Sequence, residues 1–214
     1  YLDFIERHAP TQFALRDYPC EPDVLDAHGR SVHEHQRMTT ERHVSLLDAL
    51  SDRDIAADPI AVVQGWHRDD YVAHVDALRD RGALTDYVGI GSVCRRNQDA
   101  EIREIVHAVA DALPTGTDIH AFGVKGSVLR FPDVRARLTS ADSQSYEFRK
   151  QWAVLDDLGP GKSSWKDSAL HYLQQRREIR GLLAGAEDAQ TQQQTLTAVA
   201  DGGADGADPD EVSR

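Results

Sequence analysis

The chain has 214 residues, 40 % of them hydrophobic, and a formal net charge of −12. That length suits one domain with a buried core, and no apolar run is long enough to cross a bilayer, so no membrane partner is expected. The acidic balance argues against a general polyanion binder but leaves room for a local basic groove.

Lysine occurs only at positions 125, 150, 162 and 166, and the other basic residues are arginine. An acidic, lysine-poor surface is what halophilic adaptation selects, because carboxylates stay hydrated at high ionic strength. An ordinary acidic cytosolic protein with an Arg-rich coding bias is the alternative. Cys20 and Cys94 form neither a disulfide framework nor a CxxC zinc pattern, and a cytoplasmic location follows. Tyr1 to Pro10 lack a signal-peptide pattern. Leu2, Phe4 and Ile5 instead read as the end of an amphipathic helix already under way, so upstream sequence is expected before Tyr1.

Thr11 to Leu15 is a short apolar run that reads as a strand and leads into Asp17. Ser31-Val32-His33-Glu34 has the spacing of a capping box, and the helix it opens is expected to bury Val44, Leu47 and Leu50 and stop near Ser51. His33, His35 and His43 on that helix have no tight metal spacing and read as surface residues. Pro59 to Val63 is a continuous apolar run, as in a strand covered on both faces. A helix from about Asp69 carries Val72, Val75 and Leu78 on one face, with Gly82 as its stop. Tyr87 to Ile90 is the next strand, and Ile102, Ile105, Val106 and Val109 mark a helix closed by Pro114. Ile119 to Val124 and Leu138 to Ala141 are the fourth and fifth strands.

Strand and helix alternating with short connections predict a parallel sheet. The predicted fold class is α/β, a partial TIM-type (β/α) barrel made of the C-terminal five βα units. Five units cannot close an eight-stranded barrel, which leaves open edges and fits missing N-terminal strands. The domain reading is a barrel portion over 1–150, a helical extension over 151–185 around Trp152 and Trp165, and a disordered tail over 186–214.

Polar or glycine-rich strings follow the strands: Asp17-Tyr18-Pro19-Cys20-Glu21-Pro22, Val63-Gln64-Gly65-Trp66, Gly89-Ile90-Gly91-Ser92-Val93-Cys94-Arg95-Arg96, His120-Ala121-Phe122-Gly123-Val124-Lys125 and Ser140-Ala141-Asp142-Ser143. In a parallel barrel such strand ends meet at the carboxyl rim, where the chemistry sits. In this order the strings resemble the tRNA-guanine transglycosylase superfamily. Within it they are most similar to the DpdA-type proteins, the branch that inserts 7-deazaguanine bases into DNA. The resemblance covers residues 1 to about 150.

The resemblance implies that Asp142 is the catalytic nucleophile. A carboxylate that holds the sugar covalently after the old base leaves splits one hard displacement into two easier ones. A capping role for Asp142 at the start of a following helix is the structural alternative. The resemblance further implies that Asp17 and Gln64 recognise the base, Asp17 by accepting two N–H bonds from a guanine-like edge. Their alternatives are a turn before Pro19 and a satisfied polar residue at the rim. Gly65, Gly91 and Ser92 complete the substrate-binding set, with glycine at 89 and 91 allowing a close backbone approach. Arg95 and Arg96 are candidates for phosphate contacts, or a solvated basic pair.

Two departures from the family stand out. The tRNA enzymes carry a cysteine-rich zinc site after the nucleophile, whereas no cysteine follows Cys94, so neither metal nor other cofactor is expected. No early Leu-Asp-Ser-Gly string supplies the second, proton-transferring carboxylate. His120 reads as a packed core histidine. The resulting expectation is a pentosyltransferase that replaces guanine in DNA with a 7-deazaguanine precursor such as preQ0, through a covalent aspartyl-nucleoside. A separate chain could supply the missing strands. The alternatives are tRNA as the substrate, or a catalytically incomplete fragment that binds nucleic acid or a partner subunit.

Overall fold

The structure, a computed structural model, describes residues 1–96, 98–143, 166 and 169–182. Its centre is a five-stranded, all-parallel sheet in the order β1-β2-β3-β4-β5, curled as half of a barrel. The strands are β1 (Gln12–Ala14), β2 (Asp58–Val63), β3 (Tyr87–Ile90), β4 (Asp118–Ala121) and β5 (Ser140–Ala141). The chain folds as an α/β partial barrel, as its strand and helix alternation predicts. Strands β4 and β5 are shorter than expected: Phe122-Gly123 turns at a left-handed Gly123, φ 64°, where only glycine is unstrained.

Side-chain alternation divides the sheet. Ala61, Val63, Val88, Ile90, Ile119 and Ala121 point into one hydrophobic core with the helices. The intervening Val62, Gly89, His120 and Ser140 are register partners across β2 to β5 and share the opposite, inner face.

The helices are α1 (Leu2–His8), α2 (Pro22–His28), α3 (Val32–Ser51), α4 (Arg68–Asp80), α5 (Asp99–Ala112) and α6 (Pro132–Arg135), with a 3-10 turn at Val128–Arg130. Helix α5 buries Ile102, Ile105, Val106 and Val109, the predicted stripe. Helix α4 buries Tyr71, His74, Val75 and Leu78, so Val72 is only flanking. Its chain reverses at Gly82, φ 61°. In α1, Leu2 and Ile5 are buried, but Phe4 lies exposed against His8.

Helix α3 corrects the prediction made for it. The capping box forms, with the Glu34 N–H donating to Ser31 Oγ and the Ser31 N–H to Glu34 Oε2. However, the buried face is His35, Gln36, Thr39, Thr40 and His43, while Val44, Leu47 and Leu50 are only partly covered. Of the three histidines read as surface residues, only His33 is exposed. Part of this polar face bonds backbone: Gln36 the carbonyl just past β2, Thr39 the Tyr18 N–H and His35 the Pro19 carbonyl.

Within the extension expected over 151–185, residues 169–182 are helical. Trp152, Trp165 and the tail over 186–214 lie outside the described residues. Among the described residues, no helix is long and apolar enough to cross a membrane.

Candidate active site

Each predicted site residue sits just past the carboxyl end of a strand. Asp17 follows β1, Gln64 and Gly65 follow β2, Gly91 and Ser92 follow β3, and Asp142 follows β5. Backbone bonds carry the ladder up to this rim: the Gly91 N–H donates to the Val63 carbonyl at 2.9 Å, and the Asp142 N–H to the Ala121 carbonyl at 3.2 Å.

Asp142 is half exposed, and its Oδ1 is held from two sides. The Gly123 N–H donates to it at 2.9 Å, and His120 Nε2 lies 3.1 Å away. His120 Nδ1 is 2.6 Å from Ser140 Oγ, which is itself bonded to the Tyr87 hydroxyl. These contacts close in one direction with neutral groups. Tyr87 donates to Ser140, Ser140 donates to His120 Nδ1, and His120 Nε2–H donates to the carboxylate. Both of these contacts fall on Oδ1 of a half-exposed side chain. His120 therefore bonds the carboxylate instead of packing in the core, correcting its reading from sequence. The signal was the alternation itself: Ile119 and Ala121 face the core, which turns His120 and Phe122 to the inner face. The segment that Asp142 would cap, from residue 144 onward, lies outside the described residues.

The second cluster joins Asp17, Gln64, Ser92 and Glu21. Gln64 Nε2 donates to Asp17 Oδ2, and Gln64 Oε1 is 2.5 Å from Ser92 Oγ. Ser92 Oγ is 2.8 Å from Glu21 Oε2 and accepts the Cys20 N–H at 2.8 Å. Burial holds the Asp17 carboxyl above its ordinary range, opposed by the Gln64 bond. Glu21, almost fully buried, was quoted within the Asp17 string without a role.

Helix α3 fixes the Gln64 backbone. Gln36 Nε2 donates to the Gln64 and Asp70 carbonyls, both at 2.8 Å. The Gln64 N–H donates to His74 Nδ1 at 2.8 Å, and His74 Nε2 meets Thr40 Oγ1 at 3.2 Å. His74 is therefore a neutral ring accepting at Nδ1, and burial pushes its pKa down to about 4.

The glycines make room for side chains. A Cβ on Gly91 would lie 2.2 Å from Gln64 Nε2, so a side chain there would evict the amide. One on Gly89 would strike the Phe122 ring, also at 2.2 Å. One on Gly65 would meet Tyr71 at 2.8 Å, at the start of α4.

The two arginines differ. Arg95 is exposed and paired with Asp23. Arg96 turns inward, stacked 4.3 Å over the Trp66 ring, donating to the Trp66 carbonyl and 3.6 Å from Glu101. Of the pair, Arg95 alone faces solvent. Among the described residues, no group of three His, Cys, Asp or Glu is placed to hold a metal ion.

The described residues thus form a parallel half-barrel of the (β/α) class, with a carboxylate bonded twice at Oδ1 and a carboxylate–amide cluster on one rim. The chain belongs to the DpdA family, DeoxyPurine in DNA protein A, which matches residues 6–209. That match continues past residue 150, where the motif resemblance stopped, so residues 151–209 also belong to the family's sequence. No curated protein matches the chain. Family membership implies a DNA guanine transglycosylase-like function.

Proposed function

We propose that this chain exchanges guanine in DNA for a 7-deazaguanine precursor such as preQ0, with Asp142 as the nucleophile. The observation that carries the reading is the double anchoring of Asp142 Oδ1 by Gly123 and His120 at the rim of a DpdA-family half-barrel. Preset donors on one carboxylate oxygen hold the group in place and leave the other oxygen without a bond to these two donors, as an attacking carboxylate needs.

In the proposed reaction, Asp142 attacks C1′ of a deoxyguanosine as the C1′–N9 bond breaks. The bond's electron pair leaves with guanine, which is protonated on departure. The resulting aspartyl–deoxyribose ester is attacked at C1′ by the incoming base, which has given up its N9 proton. The ester C–O bond breaks and the carboxylate returns. Protons and charge balance over the exchange, and two inversions retain the sugar configuration.

Asp17 and Gln64 present a carboxylate and an amide that match the adjacent donors of a guanine-like edge, with Gly65, Gly91 and Ser92 shaping that wall. Arg95 contributes a phosphate contact once it leaves Asp23, while Arg96 braces the loop. A separate chain that added strands at the β1 edge would extend the half-barrel and bring a second carboxylate.

The test is incorporation of labelled preQ0 into DNA and into tRNA by the same preparation. Label in DNA alone supports the reading. Label in tRNA alone would move the substrate to the tRNA branch, and binding of DNA without label in either would favour a nucleic-acid-binding subunit.

A further inference from the structure

Counting protons in the Asp17–Gln64–Ser92–Glu21 cluster leaves one unaccounted for. The Ser92 hydroxyl has one proton and two lone pairs, and the Cys20 N–H occupies one lone pair. Two acceptor oxygens remain in contact with it, Gln64 Oε1 at 2.5 Å and Glu21 Oε2 at 2.8 Å. One hydroxyl proton cannot serve both. If Ser92 donates to Gln64, the Glu21 contact needs a proton on the carboxyl. If Ser92 donates to Glu21, the Gln64 amide must reverse to donate to Ser92, and its oxygen then meets Asp17, which must carry the proton. Either direction requires one proton more than two ionised carboxylates provide.

We propose that Asp17, Gln64, Ser92 and Glu21 form a hydrogen-bond chain that holds one shared proton, and that Glu21 is the positioning residue that sets which face of Gln64 and Asp17 meets the base. With the proton at the Glu21 end, Asp17 is a carboxylate and accepts from a guanine-like donor edge. With it at the Asp17 end, the same wall donates instead. The chain thus deepens the base-exchange reading and rests on it for its use, though not for its existence.

Three further observations support a built device. Ser92 is a non-glycine residue at φ 53°, a costly backbone state that persists where surroundings enforce it, and here it points the hydroxyl between Glu21 and Gln64. Gly91 leaves the space that Gln64 occupies. No cation bonds to the pair: among the described residues, no salt bridge reaches Asp17 or Glu21, Arg95 feels the Glu21 charge but bonds to Asp23, and Arg96 is taken by Trp66 and Glu101. The other titratable groups facing the chain are Tyr1 beside Asp17, Arg95 beside Glu21, and Cys20, Cys94, Tyr71 and Asp70. Burial pushes the Cys20 thiol up to about 12 and raises Cys94, Tyr71 and Tyr1 as well, so none of these four supplies a charge at neutral pH. Cys94 Sγ, 3.7 Å from Glu21 Oε1, approaches the carboxyl's other oxygen.

The experiment is a carbon-13 carboxyl NMR titration of the whole chain with labelled Asp and Glu, alongside guanine binding by calorimetry across pH. The free protein should keep one proton on this pair at pH 7, after exposed carboxyls have ionised near pH ~4. Glu21→Gln, nearly isosteric and able to donate to Ser92, should remove that proton and leave Asp17 ionised. Ser92→Gly, which relieves the backbone while cutting the chain, should release it. Guanine affinity of the unsubstituted chain should fall once the shared proton leaves, whereas Glu21→Gln should bind with no such fall. Both carboxyls fully ionised at pH 7, or the same pH profile in Glu21→Gln, would overturn the proposal. A chain that binds no guanine at any pH would count against the base-exchange reading, and the carboxyl titration would still decide the shared proton.

Discussion

His120 Nε2 lies 3.1 Å from Asp142 Oδ1, the oxygen that also takes the Gly123 N–H at 2.9 Å. His120 is in turn held at Nδ1 by Ser140, so the ring can neither rotate nor change tautomer without breaking a second bond. His120→Phe keeps a ring in the same layer and removes one of two charge-assisted bonds to the carboxylate. Such a bond contributes roughly 1.5–3 kcal/mol, so the rate of covalent adduct formation should fall about 10- to 150-fold. His120→Gln, which restores an N–H donor, should recover part of that loss. Single-turnover kinetics on DNA measures both. An unchanged rate in His120→Phe would reduce the histidine to a packing residue.

Asp17→Ala removes the acceptor of the base-facing cluster. Guanine or preQ0 binding should weaken by about 1.5–3 kcal/mol, with little change in thermal stability beyond loss of the Gln64 bond. Calorimetry that finds equal affinity would return Asp17 to a turn role.

Gly91→Ala places a methyl where the Gln64 amide lies, 2.2 Å from Nε2. The expected cost is roughly 1–3 kcal/mol of stability from overpacking, together with weaker base binding because Gln64 is displaced. Full binding with native stability would show that the amide has room to move aside.

Acid should destabilise the α3–α4 contact. Burial pushes the His43 pKa down to about 3, with His74 adding to the shift, and lowers His74 to about 4. Both folded values lie below the ordinary 6.5, so the unfolded chain binds more protons as pH falls. The stability contributed by keeping these rings neutral is whole above about pH 6.5 and is lost as pH drops toward the folded values. By pH 5 the loss is about 2 kcal/mol for each ring. Among the described residues neither nitrogen of His43 has a hydrogen-bond partner, so His43→Leu should flatten this acid slope and keep or raise stability at pH 7. Chemical denaturation at pH 7 and pH 5 tests it, and an unaltered slope in His43→Leu would contradict the assignment.

Sequence reading reached the fold through period: the apolar runs at 59–63 and 87–90 and the Ile102–Val109 stripe became β2, β3 and α5. It reached the rim because Asp17, Gln64, Gly91 and Asp142 each follow a strand. It missed α3's buried face, since Gln36 and Thr40 break the apolar rule there, Gln36 by bonding the Gln64 carbonyl and Thr40 by holding the His74 ring that accepts the Gln64 N–H. It also missed α2, although Pro22 at its first turn and Gly29 just past its end bracket it. The partnerships of His120 with Asp142, and of Glu21 with Ser92, join residues 22 and 71 positions apart. No local pattern carries such a pairing; it arises only when adjacent strands fall into register.

The most direct test of the central claim is to trap the covalent intermediate. The protein incubated with guanine-containing DNA and no incoming base should form a protein–DNA adduct that survives denaturation, with the DNA attached at Asp142 when the peptides are mapped. Asp142→Asn, nearly isosteric, should fold normally and form none. An adduct of undiminished yield in that variant, or one mapped to another residue, would contradict the account.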